Sequence, residues 1–149
     1  MPSNKRLKLI GRREYIDFPE LNIFHIEAKI DTGAYTSALH CKDINIKRIN
    51  GKDVLCFKLL DETHPEYNEQ EHCFEDFIQK NIKSSSGEKE LRYVIKTLII
   101  IGRKRIRTMV SLTDRANMRY PVLIGRKMIK NKFIIDVAQI HTGGFLYSK

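Results

Sequence analysis

Residues 23 to 30, IFHIEAKI, alternate apolar and polar side chains and stop abruptly at Asp31-Thr32-Gly33. A period of two over this length predicts a half-buried β-strand and excludes a helical face. The alternation puts Phe24, Ile26, Ala28 and Ile30 on the inner side, and His25, Glu27 and Lys29 on the outer side. Any fold for this chain must therefore carry an acidic residue at the end of a strand with one dry face. Alone, the Asp-Thr-Gly triplet reads most simply as a turn.

The other segments continue the β pattern. Pro19 to Asn22 reads as a turn, with Ile10 to Phe18 an earlier strand paired to the first. Ile44 to Ile49 and Val54 to Leu60 flank Asn50-Gly51, a strong hairpin signal. Residues 61 to 76 form an acidic excursion without clear periodicity, followed by FIQKNI and the tip Ser84-Ser85-Ser86-Gly87. Leu91 to Ile101 is rich in β-branched and aliphatic residues, and Gly102-Arg103 turns it back into Arg105 to Leu112. An irregular connection to Tyr120 leads to Val122-Leu123-Ile124-Gly125. A single helical stretch over Arg126 to Lys132 and a strand over Phe133 to Val137 complete the pattern. The sum is a small, mainly β protein with one short helix, closed or nearly closed into a β-barrel.

At 149 residues the chain fits one domain, residues 1–149, with enough length for a real core. No apolar run approaches the roughly 20 residues needed to cross a bilayer. The basic N-terminus has no apolar signal region behind it, so the expected location is cytoplasmic. Cys41, Cys56 and Cys73 are an odd count at unrelated spacings, which predicts free thiols rather than a disulfide framework. The net charge of +9 hides an asymmetry: residues 61–90 hold nine acidic residues against Lys80, Lys83 and Lys89. A basic body with an acidic insertion attracts acidic partners, although a solvated surface accounts for charge alone.

Acid protease chemistry gives the triplet a second reading. Two carboxylates about 3 Å apart cannot both stay ionised, so they share a proton. The ionised one draws a proton from water while the protonated one hydrogen-bonds the scissile carbonyl. Asp31 follows an apolar strand into a dry site, Thr32 adds a hydroxyl that can lock the loop, and Gly33 permits close backbone approach. Much later in the chain, Val122 to Ile124 ends in Gly125-Arg126. The pair of motifs resembles the retropepsins, the retroviral aspartic proteases, which carry Asp-Thr-Gly-Ala early and an apolar segment ending in Gly-Arg-Asn late.

A closer resemblance covers about Ile10 to Val137. IDTGAYTSALHC, Ser85 to Gly87 with Arg92 after it, SLTDRANMRYPVLIGRK and FIIDV together look like the bacterial family labelled "ATP-dependent zinc protease". That family is retropepsin-like and is associated with RimK-type ATP-grasp ligases. The resemblance implies a small closed β-barrel of the retropepsin/acid-protease type, with an acidic insertion at about 61–82 and a flap-like tip at about 83–90. It implies Asp31, Thr32 and Gly33 as catalytic residues, and Ala34, Tyr35, Ser85, Ser86, Gly87, Arg92 and Arg126 as substrate-binding residues. One Asp-Thr-Gly per chain then requires a homodimer, since Asp17, Asp114 and Asp136 lack the motif's context.

The residues support the family label unevenly. No Gly-rich phosphate loop is present, so any ATP dependence belongs to a partner such as an ATP-grasp ligase. His40, Cys41, His64, His72 and Cys73 are candidate zinc ligands, but neither HExxH nor Cys-x-x-Cys occurs. Adjacent His-Cys pairs on extended backbone point to opposite faces, so the expectation is no metal and no cofactor. Retroviral proteases carry two acidic residues after Asp-Thr-Gly-Ala, where this chain has Tyr35 and Thr36, which leaves Arg126 without its usual carboxylate. The polar tip KSSSGEKE, with Arg92, Arg115 and Arg119, suits an acidic peptide or protein substrate. The alternative is a catalytically silent module of the same fold that binds a peptide or a ligase. A nucleic-acid binder ranks last, because no recognisable motif accompanies the basic residues.

Overall fold

The computed structural model describes residues 7–60, 64–65, 67–83, 86–114 and 120–143. Strand β1 (Lys8–Gly11) bends at Arg12 into β2 (Arg13–Phe18), and a 3-10 turn (Pro19–Leu21) leads to β3 (Ile23–Ile30). The chain continues through β4 (Ser37–Ile49), β5 (Lys52–Leu59), β6 (Glu71–Phe74) and β7 (Ile78–Lys83). Then follow β8 (Lys89–Ile101), β9 (Lys104–Thr113), β10 (Val122–Ile124), α1 (Arg126–Ile129) and β11 (Phe133–Asp136). The strands curl into a sheet ordered β10-β3-β2-β8-β9-β4, and β4 pairs back to β10 to close a ring of hydrogen bonds. Beyond the ring, β5 and β6 extend the sheet from β4, β7 lies beside β8, and β1 pairs with β11 in a separate ribbon.

Local patterns set the hairpins. Asn50 and Gly51 both take positive φ, 52° and 78°, the twist that a two-residue hairpin needs between β4 and β5. Gly102 and Arg103, at φ 55° and 68°, do the same between β8 and β9. Strand β3 spans the predicted residues, but its faces differ from a strict alternation. His25 has φ 58° and the β2–β3 register shifts there, so the strand bulges. The bulge turns Ile23 inward and leaves Phe24 at 44% exposure. The helix ends at Ile129 because Lys130 is extended (φ −54°, ψ 128°) and Asn131 is left-handed (φ 63°).

In the single apolar core that the curled sheet encloses, Phe18, Leu39, Phe57, Ile95 and Ile99 lose all or nearly all contact with solvent. Each such side chain contributes about 1.5–3 kcal/mol of transfer free energy, and this apolar interior holds the curl. The head and tail are joined by one buried carboxylate. Glu14 accepts N–H groups from Gly11 (2.7 Å), Thr142 (3.0 Å) and Gly143 (3.0 Å), and the Thr142 hydroxyl at 3.1 Å.

The expectation of three free thiols does not hold. Cys56 and Cys73 are joined in a disulfide, and only Cys41 is free, buried in the core. The antiparallel pairing of β5 with β6 sets Cys56 directly opposite Cys73. That proximity is tertiary, and a separation of 17 residues does not encode it.

Candidate active site

Parallel pairing of β3 with β10 builds the site. Ile30 lies beside Ile124, so Asp31-Thr32-Gly33 and Gly125-Arg126 leave the sheet together. The Asp31 N–H donates to the Ile124 carbonyl at 2.8 Å, the Arg126 N–H to Ala34 at 2.8 Å and the Lys127 N–H to Tyr35 at 3.0 Å. Ser37 fastens the same corner, its hydroxyl oxygen accepting the Gly125 N–H at 3.0 Å and its carbonyl the Ser111 hydroxyl at 3.2 Å. Gly125 passes so close to the loop that a β-carbon there would stand 2.6 Å from the Tyr35 carbonyl oxygen. These bonds hold residues 31–37 in one shape before any ligand arrives.

Asp31 is half-buried at the strand end, and its Oδ1 accepts the Gly33 N–H at 3.0 Å. Thr32 and Gly33 are exposed. Arg126 donates from Nη1 to the Thr32 carbonyl at 2.8 Å, and its guanidinium lies 5.8 Å from the centre of the half-exposed Tyr35 ring. Among the described residues no carboxylate pairs with Arg126. Tyr35 thus occupies the neighbourhood of Arg126 through its ring, supplying a cation–π contact in place of an ion pair.

A cleft of about 570 Å³ opens beside this loop, lined by Gly33, Tyr35, Thr36 and Arg126 on one wall. Strand β7 forms the facing wall with Lys80, Asn81, Ile82 and Lys83, and Ser86 and Gly87 reach in from the tip. Among the described residues its lining holds three cations and no carboxylate, a balance that favours negatively charged ligands. Lys80 and Lys83 were not singled out in the sequence, where KNIK is an ordinary charged stretch. Ser85, Arg115 and Arg119 lie outside the described residues. Arg92 is buried (8% exposed) and donates from Nε and Nη2 to Glu90, at 3.3 and 3.1 Å, within the β7–β8 hairpin; it is not in the cleft lining.

The candidate zinc ligands are dispersed. His40 is buried with Nδ1 3.2 Å from the Thr113 carbonyl, and burial pushes the Cys41 thiol well above its usual pKa. His72 stacks 6.0 Å from Phe57, and partial burial lowers its pKa. Among the described residues, Cys56, Glu71 and Cys73 are the group whose donor atoms lie close enough to share an ion, and two of those donors are the bonded sulfurs. Sulfur committed to a disulfide offers no thiolate, so these residues do not fit a zinc centre in this state.

A curled β-sheet closed by β10, with Asp-Thr-Gly at the end of one strand and Gly-Arg at the end of its parallel neighbour, defines a retropepsin-like domain. The chain belongs to the RimB-like family, described as retropepsin-like aspartic endopeptidase RimB, whose family model matches residues 9–143. Probable alpha-L-glutamate ligases from Shewanella pealeana and Shewanella halifaxensis are 35% and 36% identical to it over 135 residues. A third, from Desulfotalea psychrophila, is 35% identical. These matches cover 88% of this chain but only 28–29% of the ligases, so the chain spans less than a third of these relatives. A crystal structure from Legionella pneumophila, of a protein with unknown function (DUF785), superposes with a TM-score of 0.71 at 27% identity. It covers 95% of this chain and 100% of that one. Among the described residues no helix is long and apolar enough to cross a membrane.

Proposed function

We propose that this chain is an aspartic endopeptidase that works as a homodimer on acidic peptides. Two copies of Asp31 meet across a twofold axis and share one proton; the pair activates a water that attacks the peptide carbonyl without a covalent intermediate. The observation that supports this reading is the laced corner of Asp31, Ser37 and Gly125 beside a cleft whose charged lining side chains, among the described residues, are Lys80, Lys83 and Arg126; Asp31 itself lies outside that lining. A second carboxylate from the same chain is disfavoured. Asp17 sits in the β2–β8 pairing opposite Ile100, and Asp136 ends β11 in the separate ribbon opposite Gly11, so neither leaves the sheet with the β3–β10 corner.

Cleavage of an oligoglutamate peptide at mildly acidic pH tests the reading. At protein concentrations below the dimer dissociation constant, the rate should rise with the square of the protein concentration. A rate strictly proportional to concentration down to high dilution would remove the shared-pair mechanism. Reversing charge with Lys80→Glu or Lys83→Glu should weaken acidic-peptide binding by about 1 kcal/mol each, roughly fivefold in KM. The effect should shrink in high salt, and unchanged KM values would disconnect the cations from recognition.

A second reading draws on the relatives. In proteins named as glutamate ligases, the matching region is a minor part of a much longer chain. That arrangement supports a ligase as partner, with this domain presenting or holding an acidic chain without cutting it. Saturable peptide binding with no hydrolysis by the concentrated wild-type protein would favour this module over the peptidase.

A further inference from the structure

The Cys56–Cys73 bond lies outside the cleft lining, with Cys73 on β6, the strand that precedes the cleft wall β7 in the chain. Cys56 on β5 and Cys73 on β6 face each other in register with Cα atoms 4.2 Å apart. Strand β6 has only four residues and pairs with β5 alone among the described strands. Three residues, Glu75 to Phe77, separate it from β7. Among the described strands β7 in turn pairs only with β8, from Ile78 opposite Val94 to Lys83 opposite Lys89. Its residues 80–83 are the cleft wall facing the Asp31 loop. The start of β7 is therefore held by its ladder to β8 and, through a short link, by the disulfide. Apart from the disulfide, β6 is held by a four-residue ladder to β5, the stacking of Phe74 and His72 on Phe57 and the Lys47–Glu71 ion pair. These contacts of a short, half-exposed edge strand open more easily than a covalent bond.

We propose that Cys56 and Cys73 form a redox-active pair that latches the β7–β8 hairpin over the cleft. Oxidised, the pair clamps β6 to β5 and fixes where β7 begins; reduced, it leaves β6 to its ladder, aromatic stacking and ion pair alone and loosens the wall that carries Lys80 and Lys83. As regulation of peptide cleavage this rests on the peptidase reading, whereas the coupling of the disulfide to β7 does not. The reductant is a dithiol. Its thiolate attacks Sγ of Cys73, the exposed partner, and the bond to the buried Cys56 breaks, leaving a thiolate that takes up a proton. The second thiol of the reductant then attacks the mixed disulfide, releases Cys73 as a thiol and leaves the reductant oxidised to its own disulfide. Disulfides found in reducing compartments are commonly transient and redox-sensing, the behaviour this pair would show there.

Hydrogen exchange read by mass spectrometry on the full chain, oxidised with diamide or reduced with dithiothreitol, tests the latch without any need for hydrolysis. Residues 71–83 should exchange about tenfold faster after reduction, while β3, β9 and β10 keep their protection. Cys73→Ser should exchange like the reduced wild type and ignore dithiothreitol. Equal exchange of residues 71–83 in both redox states would overturn the proposal. So would a Cys73→Ser protein as protected as the oxidised wild type, or two alkylatable thiols at Cys56 and Cys73 after diamide. Loss of protection throughout the sheet on reduction would overturn it as well, since the bond would then be a staple of the whole fold.

Discussion

Asp31→Asn should lower peptide hydrolysis by three orders of magnitude or more, leaving dimer formation and peptide binding within about twofold of wild type. Asparagine is close in size to aspartate, and its Oδ1 can still accept the Gly33 N–H that shapes the loop at 3.0 Å. It cannot take a proton from water, and loss of a positioned general base typically costs about 10²–10⁴ in rate. In the proposed dimer one substitution removes both carboxylates of the pair, which places the loss in the upper part of that range. Mixing gives a sharper result. Equal amounts of wild-type and Asp31→Asn chains, allowed to exchange subunits, should retain about a quarter of the wild-type activity, because only homodimers of wild type keep both carboxylates. Retention of about a half would mean that each chain works alone. Cleavage that survives Asp31→Asn and stops with a chelator would replace the carboxylate pair with a metal-dependent mechanism.

Gly125→Ala should destabilise the fold by about 3 kcal/mol, near the top of the range for a side chain forced into a filled space. The Gly125 φ of −91° suits any residue, so conformation is not the obstacle. The obstacle is contact: the new carbon would lie 2.6 Å from the Tyr35 carbonyl oxygen and 2.8 Å from the carbonyl carbons of Tyr35 and Thr36. These are backbone atoms, with no rotamer to move them aside. Relief requires the two loops to separate, which breaks the bonds from Arg126 to Ala34, Lys127 to Tyr35 and Gly125 to Ser37. Gly51→Ala is the matched control. A β-carbon there meets nothing within 4 Å, and the penalty comes only from its φ of 78°, about 1 kcal/mol. Denaturant midpoints for the two variants separate the effects, and equal losses would show that the Gly125 contact relaxes freely. Peptide cleavage by Gly125→Ala should fall further than its folded fraction, because the loop carrying Asp31 must move.

Much of the strand framework was legible because its signals are local. Alternation located β3, Asn50-Gly51 located the β4–β5 hairpin, and Gly102-Arg103 located the β8–β9 turn. Strand β6 was hidden in the acidic excursion, since EHCF carries weak alternation and its support comes from β5. Phe24 was misplaced because a bulge at His25 shifts the face of the strand without any mark that an alternation rule can read. The cysteine pairing was missed for the same reason as β6: it exists only when β5 and β6 are side by side. Lys80 and Lys83 gained meaning only when β7 was laid across from the Asp31 loop.

Residues 31–33 and 125–126 could be marked as one motif pair from the order of amino acids alone, through resemblance and through the apolar runs that precede them. Turn chemistry and side-chain period act over a few residues, and a linear reading captures them. What joins the two motifs is the parallel pairing of β3 with β10, across some ninety residues of chain, and no hairpin specifies a parallel contact. That pairing follows from burying both apolar strands in one closed ring, a requirement of the whole sheet. The partners of Arg126 were decided there too, because Thr32 and Tyr35 come within its reach only after the ring has closed.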